Sequence, residues 1–340
     1  MRGRGRTACD RAIAYQPESE DAGVKVLITG GAGFVGSHLA EAFLDRGDEV
    51  TVLDLASDLK VRHLRERAGF RMIRESVLKT DILEGVVAWA DLVYHLAAVV
   101  GVEHYVGDPY QVLTVNINGT QAVLAAAFRH GKKVVFSSTS EIYGRNTQVP
   151  FDEDSDRVLG STRIDRWCYS TSKAAGEHLC FAFARMGLRV VVVRHFNVYG
   201  PRLDTMDRGR VVTIFMGQLL RGDPLTVIGD GAQTRTFIYI DDAVRATVAA
   251  GVCAGAEGLA INIGTDREIS IGELAALMIK ISGSTSRVSL VPQEAVYDRG
   301  YEDIPRRVPS VARMHDVLGV RDEVPLEDGL ARTIEWFKRQ

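Results

Sequence analysis

The chain has 340 residues, 46% of them hydrophobic, enough to bury one large domain or two that share a core. Forty-one Lys and Arg against 44 Asp and Glu leave a formal charge of −3. That balance gives no reason to expect DNA, RNA or an anionic membrane as partner, and it leaves room for a small anionic ligand held by a few local arginines.

Met1 to Gly23 is Arg-rich and then acidic, without the apolar core of a signal peptide, and reads as a mobile tail. From Val24 the pattern alternates strand and helix: Val24-Leu27, a glycine turn, an amphipathic stretch to Leu44, then a second strand at Val50-Leu53. Further strands are expected at Leu92-Leu96, Lys133-Ser137 and Arg189-Val193, with helices at about Pro109-Arg129 and Tyr169-Met186. Six parallel strands would make a doubly wound Rossmann α/β sheet. The stretch Val86 to Val102 is interrupted by Asp91 and His95 and is too short to span a bilayer, so no membrane segment is expected. Past Tyr199-Gly200-Pro201 the segments shorten, which suggests a Rossmann domain over 24–198 and a smaller α/β substrate domain over 199–340. Residues 236–254 can pack back on the first domain. Cys9, Cys168, Cys180 and Cys253 are scattered, with no C-x-x-C and no histidine at ligand spacing. They read as reduced thiols in a cytoplasm, and no metal is expected.

Thr29-Gly30-Gly31-Ala32-Gly33-Phe34-Val35-Gly36 follows the first strand and opens a helix. Gly30 permits the tight turn, Gly33 lets a pyrophosphate approach the backbone, and Gly36 allows close packing; Phe34 and Val35 begin the helix whose N-terminus faces the anion. Asp54 closes the second strand about twenty residues on, where a ribose would be bound. Its charge disfavours a 2′-phosphate, so NAD is expected over NADP. Asp81-Ile82 flank the adenine or lie on a surface loop.

Tyr169 and Lys173 are four apart and share a helix face. A free tyrosine has a pKa of about 10; a neighbouring Lys would favour the phenolate and make it a base, or the Lys would hold a ribose beside it. Thr139 would orient the same substrate oxygen. These residues, with His95-Leu96-Ala97-Ala98, Asn116, Arg194 to Pro201 and Arg235, identify the chain as a member of the extended short-chain dehydrogenase/reductase family of nucleotide-sugar enzymes. The resemblance runs from about Val24 to Trp336. It implies tightly held NAD, oxidation of a sugar C4 hydroxyl, a UDP-sugar substrate and a homodimer.

Within that family the resemblance is to UDP-glucuronate decarboxylases, through Thr139-Ser140-Glu141, Arg166-Trp167, Tyr105 before Asp108-Pro109, and Gly300-Tyr301-Glu302-Asp303 followed by Arg307. It implies Glu141 in proton handling at the ring, Ser140 in hydrogen bonding, Tyr105 and Tyr301 at the substrate, and Arg307 on the sugar carboxylate or on the diphosphate. Arg210 and Arg235 suit the nucleotide phosphates, and Asn197 a phosphate or sugar oxygen. A 4-epimerase is the alternative, since it needs only Thr139, Tyr169, Lys173 and NAD. Glu103, ahead of Tyr105, favours it by threatening to repel a carboxylate. A dehydratase is disfavoured because Ser140 is too weak an acid to expel a hydroxyl.

Overall fold

An unbroken apolar run such as Val26-Leu27-Ile28 suits a strand covered on both faces. In the computed structural model, which describes residues 23–204, 206–207, 209–292 and 304–340, this run forms β1 (Lys25–Thr29), buried throughout after Lys25. It is joined by β2 (Glu49–Leu53), β3 (Phe70–Ile73), β4 (Leu92–His95), β5 (Lys133–Thr139), β6 (Val190–His195) and β7 (Ala260–Ile263). The order across the seven-stranded sheet is β7-β6-β5-β4-β1-β2-β3, and every neighbouring pair is parallel. The order reverses between β1 and β4, so a crevice for a ligand opens at the carboxyl ends of those strands.

The longer helices are α1 (Phe34–Asp45), α2 (Thr80–Trp89), α3 (Pro109–Arg129), α4 (Trp167–Arg185), α5 (Val211–Arg221), α6 (Ile240–Val252), α7 (Ile271–Ser282) and α8 (Leu326–Lys338). Alternate strand residues face opposite sides, and the two apolar layers follow that period. Val26, Ile28, Val191 and Val193 pack with Leu39 and Phe43 of α1 and Ala246 of α6. Leu27, Val190 and Val192 pack with Val87 of α2, Val123 and Leu124 of α3 and Cys180 of α4. Asp108 caps α3 by accepting from Gln111 N at 2.9 Å, with Pro109 in the first turn.

The expected strands and helices are present with ends shifted by at most two residues. Two strands escape the sequence pattern. β3 is an edge strand whose Phe70, Met72 and Ile73 are only half-buried and whose Arg71 is exposed, so it carries no apolar run. β7 is interrupted by Asn262, and it comes from beyond residue 200, from the region expected to form the substrate domain. α6 also packs on the Rossmann layer: Tyr94 donates to Val248 O at 3.2 Å, and Gly251 lies so near that ring that a Cβ would come within 2.0 Å of its hydroxyl. The later elements are α5, α7, α8, a parallel pair (Leu225–Ile228 with Val288–Val291) and a small sheet of Glu268–Ser270, Thr234–Thr236 and Arg306–Arg307. Cys168 and Cys180 are free thiols, and Cys9 lies outside the described residues. Among the described residues no helix is long and apolar enough to cross a membrane.

Candidate active site

The chain turns from β1 into α1 within Gly30 to Gly33. Gly30 has φ of 73°, and a Cβ on it would lie 2.5 Å from Ala97 N. Gly36 packs on that turn, with 2.4 Å between a notional Cβ and Gly30 O. Gly33 is the N-cap of α1 and brings no side chain to it, so the first helical amides face outward as an anion site. Phe34 is buried and lies 5.8 Å from the Arg210 guanidinium, measured to its ring centre, while Val35 packs on the core layer beside α1. Asp54 accepts from Ala32 N and Ala56 N, each at 2.9 Å. It braces the glycine turn, and each oxygen keeps a lone pair for a ribose hydroxyl. Asp81 and Ile82 are not gathered with this group. Asp81 is in the first turn of α2, its side chain 72% exposed, and Ile82 packs into the lower layer.

On α4, Tyr169 is buried, near enough to Thr139 for that side chain to favour its phenolate. Its ring stacks on Tyr105 at 4.7 Å and 13°. Burial raises the Tyr169 pKa and the Glu141 charge raises it further, while Arg210 and Thr139 oppose them without prevailing. Lys173 donates to Ser137 O at 2.7 Å, and burial lowers its pKa to about 8. Its ammonium is anchored to β5, and the groups that act on Tyr169 are Glu141, Arg210 and Thr139.

Thr139 also caps the short turn Ser140–Tyr143 by accepting from Glu141 N at 3.2 Å. This turn delivers Glu141 into a cationic clamp. Arg307 Nη1 donates to Glu141 Oε1 at 2.6 Å, and Arg166 Nη2 to Oε2 at 3.4 Å. The arginine side chains are 7% and 6% exposed. Burial alone would raise the Glu141 pKa, but Arg307, Arg166 and Arg235 outweigh it and the net shift is downward, so Glu141 is a carboxylate at neutral pH. Arg307 Nη1 lies 3.4 Å from Ser140 Oγ, and its Nε is buried without a hydrogen-bond partner. Arg307 thus holds the protein's own carboxylate.

Arg307 stands opposite Arg235 in the small sheet. Arg235 donates to Thr234 O at 2.8 Å. Arg210 precedes α5, 3.6 Å from Asp204, and its charge reaches both Tyr105 and Tyr169. Asn197, with φ of 33°, donates to Thr236 O at 2.8 Å and so ties the end of β6 to the later half. Glu103 is exposed on the short helix Val102–Gly107, where solvent screens its charge. Tyr301 lies outside the described residues.

Residues 26–264 match the model of the NAD dependent epimerase/dehydratase family. The chain belongs to that family. UDP-N-acetyl-alpha-D-glucosaminuronate decarboxylase of Bacillus cytotoxicus is 42% identical to it over 92% of this chain and 98% of that protein. UDP-glucuronic acid decarboxylase 1 of Xenopus tropicalis is 35% identical over 93% of this chain and 72% of that protein. Among solved structures, UDP-glucuronic acid 4-epimerase from Bacillus cereus, in complex with UDP-glucuronic acid and NAD, superimposes with a TM-score of 0.82 at 32% identity, covering 93% of this chain and 99% of that one.

NAD is the cofactor of this family, and the glycine turn fits it: side chains at Gly30 and Gly36 would collide with backbone, and the helix N-terminus carries no capping group of its own. Gly36→Ala is expected to weaken NAD binding about ten- to hundredfold by titration calorimetry, since overpacking of this kind costs about 1–3 kcal/mol. Two neighbours of the site carry no role in the sequence reading, although Arg166-Trp167 is part of the resemblance. Arg166 is three residues before Tyr169 and hence on the same helical face, a spacing that could have placed it. Lys60 lies within electrostatic reach of Asp54 and Asp204, and no motif marks it.

Proposed function

We propose that this family member is an NAD-dependent decarboxylase of a UDP-linked hexuronate, with UDP-glucuronate as substrate and UDP-xylose or its 4-keto form as product. The observation that carries the reading is the ionised Glu141 held between Arg307 and Arg166 beside Thr139 and Tyr169. A 4-epimerase needs Thr139 and Tyr169 but gives that clamp no chemistry.

Bound NAD supplies the hydride acceptor for C4. Tyr169 takes the C4 hydroxyl proton and Thr139 holds that oxygen. Ketone formation makes the C6 carboxylate a β-keto acid, whose carbon–carbon bond breaks to release carbon dioxide and leave an enolate. Arg307 brings its positive charge to the leaving carboxylate. Glu141, ionised at rest, relays a solvent proton to the developing enolate at C5 as the carbon–carbon bond breaks, so that carbon dioxide loss depends on it, and Ser140 hydrogen-bonds at the same place. Arg210, Arg235 and Asn197 serve the diphosphate and sugar oxygens, Tyr105 and Tyr301 the sugar, and Lys173 the nicotinamide ribose. Asp54 completes the adenosine end. Assembly as a homodimer and residence in the cytoplasm belong to the same proposal.

A second substrate deserves a place beside the first, because the relative at 42% identity is named for the 2-acetamido sugar. The two uronates differ at C2 and share the carboxylate at issue. The test is to incubate the protein and NAD with each and read products by mass spectrometry. Carbon dioxide and a UDP-pentose are expected; UDP-galacturonate without carbon dioxide would make the protein an epimerase. Whichever uronate reacts with the higher kcat/KM is the substrate.

A further inference from the structure

Asn262 is fully buried in the middle of β7, opposite Arg194 on β6. A buried amide needs partners, and these bind three separate segments together. Asn262 Nδ2 donates to Phe151 O at 2.9 Å and to Ser310 O at 3.2 Å, and Oδ1 accepts from the Tyr143 hydroxyl at 2.8 Å. That hydroxyl accepts in turn from Arg194 Nη1 at 2.9 Å. Arg194 forks onto Glu177, at 2.9 and 2.6 Å, and Ser138 Oγ donates to the same carboxylate at 2.5 Å.

Both members of the Glu141–Arg307 pair hang from this network. Tyr143 ends the four-residue turn that carries Glu141. The segment after Arg307 is stitched to Phe151 on both sides, Phe151 N donating to Val308 O at 2.7 Å and Ser310 N to Phe151 O at 2.8 Å, and Asn262 grips both Phe151 and Ser310. The redox groups are fixed elsewhere: Lys173 by Ser137 O, and Tyr169 by Thr139 and the Tyr105 ring. We propose that the Tyr143–Asn262–Arg194 network is a positioning device for the Glu141–Arg307 pair and controls the rate of carboxylate loss separately from C4 oxidation. The inference rests on the decarboxylase reading. A displacement of about 1 Å at a catalytic group can cost about 10²-fold in rate, and Tyr143 and Asn262 join the two strands of chain that set this distance.

The test is a single turnover on the reactive uronate, following reduced nicotinamide by its absorbance and carbon dioxide by mass spectrometry. Tyr143→Phe removes only the bridging hydroxyl; the ring remains stacked on Phe151, 4.7 Å away in the native protein. Asn262→Asp is the second variant, keeping the shape while facing an acceptor toward two carbonyls. For Tyr143→Phe, nicotinamide reduction is expected to stay within about twofold of wild type while carbon dioxide release slows about 10- to 100-fold, so that reduced nicotinamide persists. Equal slowing of both steps, or no slowing of either, overturns the inference. A wild-type protein that releases no carbon dioxide from either uronate overturns the decarboxylase reading itself and this inference with it.

Discussion

Tyr169→Phe is expected to lower kcat for nicotinamide reduction and for carbon dioxide release together, by about 10²- to 10⁴-fold, the range for removal of a positioned acid–base group. The hydroxyl lost is the one beside Thr139 at the end of β5, and the ring that remains can keep its stack on Tyr105. Fold and nucleotide binding should therefore persist, and the loss should fall on kcat rather than on KM. The native phenol is held above its ordinary pKa by burial and then by Glu141. Deprotonation is the uphill part of its task, so wild-type C4 oxidation should quicken as pH rises above neutrality. Single-turnover absorbance across pH checks this. Loss of less than about tenfold in the Phe variant would remove Tyr169 from the role of base.

The sheet could be read from the sequence wherever burial on both faces left an apolar run, as at Val26-Leu27-Ile28 and Val190 to Val193. It could not be read at β3, where an edge strand needs only a half-buried pattern, or at β7, where Asn262 breaks the run to serve a network that exists only once Tyr143 and Ser310 are in place. The same difference governs the site. Tyr169 with Lys173, and Gly30 with Gly36, are local spacings, and a helix or a turn converts them directly into geometry. Arg307 and Glu141 are 166 residues apart, and only family resemblance suggested that they share a place. That their partner would be each other, and that Arg166 would complete the clamp, depends on how a two-residue strand pairs with Thr234–Arg235. Lys173 shows the opposite limit: its spacing from Tyr169 was legible, but the carbonyl of Ser137 that claims its ammonium was not.

Glu141→Gln should separate the two half-reactions. Carbon dioxide release is expected to fall about 10²- to 10⁴-fold with the loss of a proton-handling carboxylate, while nicotinamide reduction survives. The pH dependence of that surviving step should move in a defined direction. Glu141 raises the Tyr169 pKa in the native protein; a neutral amide removes that repulsion of the phenolate, so the Tyr169 pKa falls and the oxidation profile shifts toward lower pH. Stability should change as well. Arg307 and Arg166 would be left buried without their anion, and breaking a buried ion pair costs up to about 3–5 kcal/mol, less where the Gln oxygen still accepts from Arg307. Thermal denaturation measures that cost, and the comparison decides what Glu141 is for. If its duty were only to neutralise two buried arginines, the variant would melt earlier and yet release carbon dioxide at the native rate per folded molecule. A catalytic carboxylate predicts a folded variant, at a temperature well below its transition, that reduces nicotinamide and stops there.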